Sequence, residues 1–413
     1  MSSIIKQSIQ MTSNQKNLVK QTVPILREHG IILTTYFYNR MFRDNPELKH
    51  IFNMGNQKNN KQQAALAMTV LAYADNIEDP SVLMPVLNNI GHKHTSLDIR
   101  PEQYTIVGKH LIASISEVLG ESATPELLEA WSAAYQQLAL LMSGHEQTIY
   151  NHRINNPGGW AGWRPFIVKQ KVRESTEITS FYLYPSDGGI VADFTPGQYI
   201  SLRLFLPELE LLQPRQYSIS CAPNSEYYRI SVKKETGNSH PNGIISNRLH
   251  NHVNVGDLLD ISAPAGNFVL QEETEKQKVF ISGGVGQTPL LAMLEQLTQE
   301  KTKNKNIQIT WIHGCRDQKT HAFKERVTEI SNKNKNVSQH IFYETIENTK
   351  DSLNEGWLDL SKLKQDILQE HTEYYICGPA AFITKHYNFL LNNNVPKTDI
   401  YFEEFGPASL QLD

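Results

Sequence analysis

The chain has 413 residues, enough for about three domains of ordinary size. Charged residues make up 20% of it and the net charge is −4, so no strong field draws it to nucleic acid or to an anionic membrane. Cys221, Cys315 and Cys377 are odd in number and widely spaced, which excludes a disulfide framework and a CxxC metal pair. The opening MSSIIKQSIQMTSNQK lacks the apolar run of a signal peptide, and nothing later has the apolar length of a membrane span. A reduced, cytoplasmic protein without membrane insertion is expected.

Up to about residue 150 the apolar pattern is helical. Thr12 and Gln15 have capping-box spacing ahead of a periodic run that is expected to stop at Gly30. Asn45-Pro46 and Thr124-Pro125 read as N-caps followed by proline at the first helical position. Pro101 opens a further helix that sets Tyr104, Val107, Leu111 and Ile115 on one face. Two apolar stripes end in a polar side chain. Gln62 is in line with Leu66, Thr69, Val70 and Tyr73, and His94 continues the line of Leu83, Leu87 and Ile90. Such a histidine reads first as a satisfied core residue and second as a ligand.

From about 151 the texture changes. NHRINNPGGWAGWRP is rich in turn formers and reads as a linker. Short β-rich runs follow at 166–172, 178–184, 199–206, 216–220, 228–233 and 258–262, separated by turn clusters, which suggests an antiparallel barrel or sandwich. Beyond about 271 strands and helices alternate, which implies a parallel sheet covered by helices. The expected boundaries are 12–150 for the α domain, 151–165 for the entry, 160–270 for the β domain and 271–413 for the α/β domain.

Chemistry gathers at a few turns. Gly284, Gly286, Gln287, Thr288 and Pro289 lie where a strand meets a helix, a place suited to a diphosphate because the backbone approaches closely and amide donors point outward. The last glycine of the GxGxxG spacing is replaced by Pro289. A second strand-end turn is Cys377-Gly378-Pro379. In the β block, Arg215, Gln216, Tyr217 and Ser218 offer a phosphate partner, a stacking ring and a hydrogen bond to a ring nitrogen. Gly243 and Ser246 begin another helix, and Pro196-Gly197-Gln198-Tyr199 precedes a strand.

Taken jointly and in this order, PGQY, RQYS, the glycine–serine turn, GGVGQTP and CGP resemble the ferredoxin–NADP reductase superfamily. That resemblance implies FAD on Tyr199, Arg215–Ser218, Gly243 and Ser246, and NAD(P)H as substrate at the turns of 284–289 and 377–379. Similarly, YFYNRMFRDNPELKHIFNM, KQQAAL, KHTS, PEQY and HEQTIY resemble the globin domain of bacterial and yeast flavohaemoglobins. The two matches together span almost the whole chain.

The resemblance implies an all-α globin, an antiparallel FAD barrel and a parallel-sheet NAD(P) domain. It makes His94 the proximal ligand of one non-covalent haem b, with Tyr104 and Glu146 as its partners. Tyr38 and Gln62 become distal donors, beside Leu66, and Phe52 packs on the haem. Taken singly, Tyr38 and Phe52 read as core aromatics, Tyr104 as a hydroxyl on a backbone carbonyl, and Glu146 as a solvated helix end. The implied activity is oxidation of nitric oxide to nitrate with O2 and NAD(P)H, by a monomer or dimer. A general flavin or ferric reductase with an oxygen-binding globin, and a gas sensor, are the competing readings.

One departure stands out. Glu404 occupies the place of a family cysteine in Phe402-Glu403-Glu404-Phe405-Gly406-Pro407. Phe405 remains available to lie near the flavin. Arg316 could accept a 2′-phosphate or be an ordinary loop arginine, so NADPH use stays open beside the expectation of NADH. The globin match begins near residue 12, and residues 1–11 are expected to be disordered.

Overall fold

The structure is a computed structural model that describes residues 10–237, 242–271, 275–299, 307–346 and 354–405. It divides into two compact units. One holds the helices up to Asn155 together with Arg203–Pro214, and the other holds Asn156–Leu202 and the chain from Arg215 onward.

The helical unit contains α1 (Ser13–Gln21), α2 (Val23–Asp44), a 3-10 turn (Pro46–His50), α3 (Met54–Lys58), α4 (Lys61–Asp75), α5 (Met84–Ser96), α6 (Pro101–Leu119) and α7 (Pro125–Asn155). The capping box forms as read: Gln15 N–H donates to Thr12 Oγ1 at 3.2 Å, and Thr12 N–H to Gln15 Oε1 at 3.0 Å. The expected stop at Gly30 does not occur, because α2 runs through it to Asp44. A Cβ at Gly30 would lie 3.3 Å from that of Ala67, so this glycine marks the crossing of α2 and α4. Leu26, Leu33, Phe37, Tyr38 and Met41 repeat at helical spacing on the buried face of α2. Met11 also joins this core at 7% exposure, against the expectation of disorder there, while residues 1–9 lie outside the described residues.

The chain beyond the helices first forms a six-stranded sheet of β1 (Trp163–Arg173), β2 (Ile178–Pro185), β3 (Tyr199–Leu206), β4 (Leu211–Ser218), β5 (Tyr228–Lys233) and β6 (Leu258–Ser262), in which the part of β3 and β4 between Arg203 and Pro214 counts with the helical unit. Its order is β4-β3-β6-β1-β2-β5. Strand β1 pairs antiparallel with β2 and β6, and β2 with β5. A bridge between Ile219 and Ile230 joins the two ends and closes the barrel. Strand β4 begins five positions before the expected 216 and passes through Pro214. A terminal position in the hydrogen-bonded order tolerates a residue without an N–H. Helix α8 (Ile244–His252) lies between β5 and β6 in the chain.

The α/β part is built from β7 (Gln277–Gly283), α9 (Gln287–Leu297), β8 (Ile309–Cys315), α10 (Lys324–Lys333), β9 (Val337–Tyr343), β10 (Asn354–Glu355), α11 (Lys364–Ile367), β11 (Thr372–Gly378), α12 (Ala380–Asn392) and β12 (Ile400–Glu404). The sheet order is β10-β9-β8-β7-β11-β12, and its pairings are parallel. Chain order runs outward from β7 on one side and from β11 on the other. The carboxyl ends of β7 and β11 therefore form the switch point where ligands settle in such sheets. No described helix is long and apolar enough to cross a membrane.

Candidate functional site

His94 sits in the last turn of α5 and is drawn into a set contributed by three helices. Its Nδ1 lies 2.8 Å from Glu146 Oε1 on α7 and 3.0 Å from the Tyr104 hydroxyl on α6. The Tyr104 hydroxyl donates to the same Glu146 oxygen at 2.5 Å. Burial first, and the neighbouring carboxylate second, push the Tyr104 hydroxyl far above its ordinary range, so it keeps its proton and acts as a donor. The carboxylate is thus the acceptor for both groups, and the His94 Nδ1 carries a proton toward it. Glu146 is only 2% exposed, which overturns the solvated-end alternative, and Tyr104 does not spend its hydroxyl on a backbone carbonyl. His94 keeps a third of its side-chain surface exposed. An imidazole with one nitrogen committed to a carboxylate and the other left for a ligand is the donor set that a metal-bound histidine requires. The residues fit a haem iron.

Tyr38, Phe52 and Gln62 come together from α2, the turn before α3, and α4. The Tyr38 and Phe52 rings meet edge-on with centroids 5.8 Å apart, and Phe42 stacks on Tyr38. Burial holds the Tyr38 phenol far above its usual range, with Gln62 as the opposing hydrogen-bond partner. Leu66 packs against the same core.

Two supporting residues escaped the sequence reading. Gln57 Nε2 donates to Gln62 Oε1 at 3.1 Å, which commits the Gln62 oxygen and leaves its amide nitrogen as the donor. Tyr135 donates to the Tyr104 carbonyl at 2.6 Å and so anchors the helix behind the histidine partner. Its ring fits only because residue 108 is glycine, since a Cβ there would lie 2.4 Å from Tyr135 Cε1. A glycine in the middle of an otherwise good helix was the available signal.

In the second unit, Arg215, Gln216, Tyr217 and Ser218 occupy the end of β4. Strand alternation separates Arg215 and Tyr217 from Gln216 and Ser218. Gln216 Nε2 donates to Ser201 Oγ at 3.1 Å, so this side chain ties β4 to β3. Tyr199 bonds backbone to backbone with Ala265, at 2.8 Å in each direction. Gly243 precedes the first turn of α8, where Ser246 Oγ donates to the Gly243 carbonyl at 3.0 Å and accepts from the Glu235 N–H at 3.2 Å.

The two α/β turns face each other across the switch point. A Cβ at Gly286 would lie 2.2 Å from the Cys377 carbonyl oxygen, so the turn after β7 seats directly on the end of β11 beside Gly378 and Pro379. Thr288 Oγ1 caps back onto the Val285 carbonyl at 3.0 Å, and Pro289 lies in the first turn of α9. Gln287 is 1% exposed, and neither its amide oxygen nor its amide nitrogen has a protein partner among the described residues. Buried polar atoms left so at a helix N-terminus suit a polar ligand. Cys377 is fully buried and its thiol is pushed up by burial, so it is inert as a nucleophile.

Its strand neighbour Glu403 was passed over in the sequence. Burial raises the Glu403 carboxyl to about 8, and its Oε2 lacks a partner among the described residues. Phe405 is 45% exposed, and residues 406 and 407 lie outside the described residues.

Three family models match the chain in order: Globin over residues 35–142, Oxidoreductase FAD-binding domain over 165–270, and Oxidoreductase NAD-binding domain over 280–387. Among solved structures, a flavohemoglobin from Malassezia yamatoensis with bound FAD and heme is 25% identical, with a TM-score of 0.83, covering 96% of this chain and 99% of that one. The FAD/NAD binding domain of a nitric oxide dioxygenase from Vibrio cholerae is 37% identical, with a TM-score of 0.54, covering 59% of this chain and 99% of that one. The Flavohemoprotein of Bacillus subtilis is 40% identical over 94% of this chain and 96% of its own length. That of Bordetella parapertussis is 48% identical over 95% of this chain and 98% of its own. With a helical unit, an antiparallel barrel and a parallel sheet in that order, and full-length likeness of this degree, the chain belongs to the flavohemoprotein family.

Proposed function

We propose that this chain is a nitric oxide dioxygenase: two NO, two O2 and one NAD(P)H give two nitrate, one NAD(P)+ and one proton. The observation that carries the reading is the His94–Glu146–Tyr104 set, joined in one polypeptide to a flavin barrel and a nucleotide sheet. A carrier of oxygen has no need of an attached reductase, whereas a reaction that leaves the metal oxidised must be supplied with electrons at every cycle. The Vibrio cholerae relative whose reductase half is 37% identical carries the dioxygenase name, which supports the same activity here.

Haem held at His94 supplies oxygen binding and one-electron chemistry, and FAD divides the hydride pair of NAD(P)H into single electrons. The residues do the rest. Glu146 accepts a hydrogen bond from the His94 Nδ1–H, fixes the tautomer and makes Nε2 a stronger donor. Tyr104 holds that carboxylate in place through its own proton. Tyr38 and Gln62 present a hydroxyl and an amide as preorganised donors toward negative charge that develops on the distal side. Arg215 and the N-terminus of α8 offer a cation and amides to the flavin diphosphate, with Tyr217 positioned by β4 to stack. Gln287, the turn of 284–286 and Cys377–Pro379 receive the nucleotide.

The test is consumption of NO by protein loaded with haem and FAD. NADH-driven, oxygen-dependent NO loss with stoichiometric nitrate is the expected result. Flavin reduction without NO loss would leave a reductase and end the dioxygenase reading.

A further inference from the structure

The loop at the carboxyl end of β8 is held by contacts that the reactions above do not use. Glu177, in the turn between β1 and β2, forms an ion pair with the Arg316 guanidinium. Its turn is fixed from both sides: Glu177 N–H donates to Ser175 Oγ at 3.3 Å, and Lys234 N–H donates to the Glu177 carbonyl at 2.7 Å. The same turn docks on the loop, where Thr176 gives its N–H and its hydroxyl to the Lys319 carbonyl at 3.0 and 3.1 Å. The loop is internally braced as well, with Thr320 N–H donating to Asp317 Oδ1 at 2.8 Å. On its other flank Glu344 N–H donates to the Cys315 carbonyl at 3.0 Å, and Thr345 N–H to the Arg316 carbonyl at 2.9 Å.

Three carboxylates therefore surround this strand end. The buried Cys315 thiol registers them: burial first, then Asp317, Glu344 and Glu177, push it up to about 12, with Arg316 opposing.

The position matters because of topology. In a doubly wound sheet the pyrophosphate rests at the turn after the first strand, and the adenosine ribose reaches the end of the next strand, where an acid takes the 2′-hydroxyl or an arginine takes a 2′-phosphate. Here the first strand is β7, its hydrogen-bonded neighbour is β8, and Arg316 is the first residue beyond it. We propose that Glu177 makes the enzyme selective for NADH over NADPH, by occupying the guanidinium of Arg316, which would otherwise accept the 2′-phosphate. This rests on reading the sheet as the nucleotide site. A phosphate dianion arriving there meets Glu177, Asp317 and Glu344 with the Arg316 guanidinium already engaged. A 2′-hydroxyl carries no charge and suffers no such repulsion.

The experiment uses the full-length, FAD-loaded protein. Anaerobic flavin bleaching gives kcat/KM for NADH and NADPH, and calorimetry gives the affinity of adenosine 2′,5′-bisphosphate against AMP. The wild type is expected to favour NADH and AMP. Glu177→Gln is expected to shift the NADPH-to-NADH ratio and the bisphosphate-to-AMP ratio upward by about tenfold, the worth of one charge-assisted contact, mainly through KM. Glu177→Gln with Arg316→Ala is expected to lose that gain.

A wild type that binds the bisphosphate as tightly as AMP overturns the proposal. So does an unchanged ratio in both Glu177→Gln and Glu177→Ser, or a gain that survives removal of Arg316. If neither nucleotide bleaches bound flavin and neither probe binds, the sheet is not the nucleotide site, and the proposal falls with that reading.

Discussion

Tyr38 is the residue at which the distal argument is most exposed to test. Its phenol is buried, protonated and beside Gln62. Tyr38→Phe removes one donor toward a partly charged ligand. Oxygen should then dissociate about tenfold faster, equivalent to roughly 1.5 kcal/mol, as followed by flash photolysis or stopped flow. An unchanged rate removes Tyr38 from the distal set.

Glu403 makes a different kind of prediction. Its folded carboxyl titrates near 8, whereas an unfolded glutamate titrates near about 4.3. Between those values the folded chain holds a proton that the unfolded chain has released. Stability from this group is therefore complete below the lower value and is lost as pH rises through the upper one. Glu403→Gln should flatten that decline, so urea midpoints of variant and wild type should diverge in the variant's favour as pH increases. Parallel pH profiles would contradict the assignment.

At the scale of elements, much of the helical unit was legible because its apolar residues repeat at helical spacing and its caps are local. The failure at Gly30 has a physical cause. Glycine was read as a stop, whereas here it permits α2 and α4 to approach. Strand β4 starts at Leu211, ahead of the expected 216, and includes Pro214, which a terminal place in the sheet order tolerates because no N–H is needed there. The strand end 215–218 and the turn 284–289 are readable as contiguous motifs. His94, Tyr104 and Glu146 were not readable by spacing, because they reach one another from three helices; the family resemblance alone brought them together. Gln57 and Tyr135 support other side chains and leave no motif of their own.

Gly108 tests this supporting layer. Gly108→Ala gains about 1 kcal/mol of helix propensity but forces a methyl into the Tyr135 ring. The net expectation is a loss of about 1–2 kcal/mol in thermal unfolding, because overpacking costs more than propensity returns. A melting temperature equal to or above wild type would show that Tyr135 moves aside freely.

At the scale of the molecule, the helical unit is completed by residues from later in the chain. Leu212 N–H donates to His50 Nδ1 at 3.0 Å. Gln213, 1% exposed, bonds the Lys49 carbonyl at 2.8 Å and the Met54 N–H at 3.1 Å. A fragment ending at Asn155 leaves these groups of residues 49–54 without their partners. It should be about 2–3 kcal/mol less stable to denaturant than the same helices in the intact protein, at about 1 kcal/mol per bond. Equal midpoints would show that the Arg203–Pro214 segment contributes nothing to them.

The return of Arg203–Pro214 to the helices also governs how this polypeptide can be taken apart or rebuilt. A single cut at the visible border cannot release the helical half whole, since one of its packed pieces is encoded beyond the cut. A chimera that grafts another reductase onto these helices must bring a finger of matching shape, with an acceptor for the Met54 amide and a donor for the imidazole of His50.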